Sequence, residues 1–89
     1  MTRAEILDAA KKCVCGDREQ QYGSPENNFR LIAAFWGDYL EMHIEPQDVA
    51  MMMALLKIAR IATGTDTADS YIDLAGYAAC GGELAVSNN

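Results

Sequence analysis

The sequence predicts an all-α fold, a compact four-helix bundle-like domain, and three observations carry the prediction. Apolar residues recur at helical spacing along four segments, no segment alternates apolar and polar as a strand does, and each segment is bounded by a capping or breaking signal. Eighty-nine residues make one domain, expected to span 1–89. A chain of this length buries only roughly 60–65% of its unfolded surface, so self-association is a common remedy for its thin stability margin.

The first helix is expected at about 3–15. Thr2-Arg3-Ala4-Glu5 reads as a capping box, Ile6, Leu7, Ala10, Cys13 and Val14 share a face, and Gly16 is the natural stop. After a polar stretch, Ser24-Pro25-Glu26 supplies an N-cap, a proline at the first helical position and an acid in the first turn. That second helix, about 25–41, carries Phe29, Ile32, Ala33, Trp36, Tyr39 and Leu40 at helical spacing. Pro46 opens a third helix, about 46–62, whose middle from Val49 to Leu56 is apolar all round. Such a helix is the most buried one of its domain or is shared with a partner chain. Thr63-Gly64-Thr65-Asp66 breaks the chain before a fourth helix, about 67–85 and rich in Ala and Gly, which folds back on the third as an antiparallel hairpin.

The charge balance narrows the function. With 13 acidic and 7 basic residues the net charge is −6, which suits neither duplex nucleic acid nor any role needing a broad basic face. A local Lys/Arg pair can still hold a small anion. Three cysteines (Cys13, Cys15, Cys80) and one histidine (His43) give no zinc spacing, so reduced thiols and no resident metal are expected. No apolar run approaches the ~20 residues of a membrane span, and the start carries no apolar signal core. The expectation is therefore a cytoplasmic protein that does not engage a membrane.

Three constellations could carry chemistry. Lys57 and Arg60 share one helix face, Asp69 and Asp73 another, and the antiparallel hairpin sets Arg60 level with Asp69 and Lys57 level with Asp73. Tyr77 lies one turn beyond Asp73. The group reads either as an interhelical ion-pair brace or as a site where bases meet phosphate oxygens. Around the second helix start, Arg18, Gln21, Tyr22, Gly23, Ser24, Asn27 and Asn28 read either as an anion site, where exposed N–H groups meet the ligand, or as an ordinary capped loop packed by Tyr22. The third is Asp38-x-x-Glu41 with Asp66-x-x-Asp69 and Asp73, a loose carboxylate set that is also the ordinary solvated end of a helix. No catalytic triad, Cys/His pair or phosphate-loop motif is present, and His43 stands without an evident partner.

The blocks Arg18-x-x-x-Tyr22-Gly23, Pro25 to Phe29, Ile32-Ala33 with Trp36, DVAMMMALLKIAR and Asp69-x-x-x-Asp73-x-x-Gly76-Tyr77-Ala78 together resemble a group of small phage and prophage proteins described as a domain of unknown function. The resemblance runs from about Ile6 to Glu83. It implies a phage or prophage origin in bacteria and an all-α fold, and it brings no established activity. A more distant similarity connects such proteins to helical nucleotide-processing proteins of the MazG type and to nucleotide-modification-associated domains. The E-x-x-E and E-x-x-D pairs of the MazG type are absent here.

Three functions follow as expectations. The first is binding of a nucleotide or other small phosphate ligand, in nucleotide metabolism or against host defence, with Arg18, Tyr22, Asn27, Lys57, Arg60, Asp69, Asp73 and Tyr77 lining the site. The second is Mg-dependent nucleotide pyrophosphohydrolysis, the one reading that needs a cofactor. The third is an acidic protein–protein interaction module or inhibitor of a host protein. The apolar third helix adds the expectation of a homo-oligomer.

Overall fold

A computed structural model of the protein describes residues 1–17, 25–64 and 67–87, the side chains of residues 17, 25–27, 67 and 87 excepted. Helices α1 (Arg3–Lys12), α2 (Pro25–Leu40), α3 (Pro46–Ala62) and α4 (Thr67–Ser87) make up the fold, and a π-helical turn, Cys13–Asp17, continues α1. Among the described residues there is no strand.

Local chemistry sets the helix ends. At α1 the Thr2 hydroxyl accepts from the Glu5 backbone N–H at 3.1 Å, and the Glu5 carboxylate accepts from the Thr2 N–H at 2.9 Å. This reciprocal pair satisfies two otherwise orphaned donors. At α3 Pro46 fixes the first helical turn, while the Asp48 carboxylate accepts from the Glu45 N–H at 3.0 Å. The far end of α3 closes with the Thr63 hydroxyl donating to the Arg60 carbonyl at 2.8 Å, followed by Gly64 at φ +76°, a left-handed position where only glycine avoids a steric penalty. Helix α2 ends differently. Glu41 takes φ +56°, and the Met42 N–H donates to the Gly37 carbonyl at 3.0 Å, turning the chain sharply toward Pro46.

Helices α3 and α4 make the most extensive contact of the fold, with α1 against α4 and α2 against α3 as the secondary ones. The core gathers Phe29 and Ala33 from α2, Val49, Ala50 and Ala54 from α3, and Tyr77, Cys80 and Leu84 from α4. Val49 and Ala50 are the most deeply enclosed residues. Small side chains let α3 and α4 approach closely: a Cβ on Gly81 would stand 3.0 Å from Met51 Cε and 3.1 Å from the Ala50 Cβ. Packing therefore accounts for a glycine that costs about 1 kcal/mol relative to alanine in a helix interior.

Val14, Ile32, Trp36, Ile44, Met53 and Leu74 pack around this core. The opposite face of α3 is uncovered, with Met51, Met52, Leu55, Leu56 and Ile58 all exposed. Among the described residues no helix is long and apolar enough to cross a membrane.

Candidate functional site

The α3–α4 hairpin brings one of the two level charge pairs together. The Lys57 ammonium stands 3.0 Å from Asp73 Oδ2, with the two side chains 17% and 33% exposed. Lys57 lies on the face of α3 that turns toward α4, flanked by the buried Ala54 and the half-buried Ile61. Arg60 and Asp69 do not pair with each other; both are exposed. Arg60 follows Lys57 by three residues, which rotates it by about 60° around the helix and off the shared face.

Tyr77 also departs from the expectation of a ligand-facing ring. It is buried in the core, its centroid 6.3 Å from that of Phe29 with the planes tilted by 30°. A ring in this position packs against α2 and is not open for stacking on a base. Arg18, Gln21, Tyr22, Gly23 and Ser24 lie outside the described residues; Asn27 is on α2, but its side chain is outside them too. The second constellation is thus represented by its helix start alone.

A second polar region forms where α2 turns into α3. Arg30, Asp38, Glu41, His43, Glu45 and Pro46 line an open cleft of about 680 Å³. His43 Nε2 lies 2.6 Å from Glu45 Oε1, so the histidine that stood alone in the sequence has a carboxylate partner two residues on. The turn at Glu41 creates this cleft by folding the 41–45 segment back beside α2. Three carboxylates against one arginine make it an acidic wall, better suited to a cationic group than to a phosphate. Among the described residues no three His, Cys, Asp or Glu side chains are grouped so as to hold a metal ion.

Two exposed apolar features complete the surface. On α2, Leu31, Phe35 and Tyr39 succeed one another at i, i+4 and i+8 and form one strip, with Asp38 beside them. Between α1 and α4 runs a shallow groove of about 380 Å³ lined by Ile6, Leu7, Tyr71, Leu74, Ala75 and Ala78, with Arg3 at its edge.

An all-α fold whose helices leave apolar side chains exposed defines the class, a small helical protein. The chain belongs to the family described as Domain of unknown function (DUF6378), which matches residues 5–85. It is similar to the Gene 55 protein of Mycobacterium phage D29, 44% identical over 75 residues that cover 84% of this chain and 50% of the relative. It is also similar to the Gene 55 protein of Mycobacterium phage L5, 43% identical over 74 residues, or 82% and 47% of the two chains. The chain thus spans about half the length of these phage relatives. No solved structure matches it.

Proposed function

We propose that the chain acts as a small α-helical interaction module of phage type, whose partner in the bacterial cytoplasm is a host protein with a basic surface. One observation carries this reading: on α2, Leu31, Phe35 and Tyr39 are 57%, 64% and 87% exposed, side by side, in a chain of net charge −6. Two aromatic rings held out on a rigid helix are the usual anchors of a protein interface. Asp38 beside the strip, and Glu41 one turn further on, supply an acidic rim that steers a basic partner. The experiment is affinity capture from host lysate by the wild type and by a Phe35→Ala/Tyr39→Ala variant. A basic protein held by the wild type, released by salt and lost by the variant, is the expected result. Equal recovery by both proteins would count against the strip.

A second reading, binding of a nucleotide or other phosphate ligand, is favoured by the position of the Lys57 ammonium beside Asp73, with exposed Arg60 one turn away. Thermal shift with nucleotides, with and without Mg²⁺, separates it from the first. Stabilisation by nucleotide would support ligand binding, product formation with Mg²⁺ would support pyrophosphohydrolysis, and no effect of either would leave protein recognition as the reading that stands.

A further inference from the structure

We draw no further inference here: the strongest candidate, the exposed apolar face of α3 formed by Met51, Met52, Leu55, Leu56 and Ile58, is an unpartnered helix face, and nothing in the structure shows what covers it.

Discussion

Lys57 and Asp73 meet at 3.0 Å across the α3–α4 hairpin, and both side chains are more than half covered. Partial cover holds such a pair in one geometry and places it in the upper part of the range of about 0–1 kcal/mol that surface ion pairs span. Lys57→Ala and Asp73→Ala are therefore expected to couple by about 0.5–1 kcal/mol in a double-mutant cycle read by urea unfolding. Arg60→Ala and Asp69→Ala should be additive, because those two side chains do not pair with each other. Coupling in the second cycle and additivity in the first would reverse the assignment.

The contrast between those two pairs separates what spacing encodes from what it does not. An antiparallel hairpin fixes which residues stand at the same height, so Lys57 opposite Asp73 is legible in the sequence. Height does not fix rotation about the helix axis, and a turn of about 60° separates a residue on the shared face from one beyond it. Tyr77 is a case of the same kind. Its spacing from Asp73 places both on one side of α4, but Asp73 lies at the margin of the buried face and Tyr77 within it, against Phe29. The cleft at Arg30 and His43 has no sequence signal, because it depends on the reversal at Glu41, and glutamate is not a residue that announces a left-handed turn. The apolar stretch of α3 implies deep burial or a shared face; the exposure of Leu55 resolves which side of the helix is enclosed within one chain.

Glu41 is the clearest target for stabilisation. Its φ of +56° is costly for a side-chain-bearing residue, and its carboxylate sits at the unfavourable end of the α2 dipole. Glu41→Gly relieves both effects while adding unfolded-state entropy, for a net gain of about 0.5–1 kcal/mol. Calorimetry should record a rise of a few degrees in Tm. A fall would show that Glu41 makes a compensating contact in the cleft.

The α1 capping box predicts a local pH response. Hydrogen bonds from the Thr2 backbone N–H and hydroxyl hold the Glu5 carboxyl below its ordinary value. A carboxyl with a depressed folded pKa adds stability that is present above its unfolded pKa and is lost as pH falls through the folded one. Acidification below the ordinary glutamate range should therefore fray the first turn of α1, seen as loss of amide protection at Glu5 and Ile6. Glu5→Gln keeps an acceptor for the Thr2 N–H and should remove this local titration. An unchanged pH profile in that variant would place the response elsewhere.

Gly81 tests the closeness of the α3–α4 contact. A Cβ at this position would lie 3.0 Å from Met51 Cε and 3.1 Å from the Ala50 Cβ. The first neighbour is the far end of a flexible side chain and can move aside. The second is fixed to the α3 backbone, at a residue with no exposed surface. Gly81→Ala then combines a gain in helix propensity of about 1 kcal/mol with a small outward shift of α3, and the two should nearly cancel. Gly81→Val adds two methyl groups with no room to rotate away from Ala50 and should cost about 2–3 kcal/mol. Chemical unfolding of the two variants measures the difference, and a Gly81→Val protein as stable as Gly81→Ala would mean that the helices are not locked at this distance.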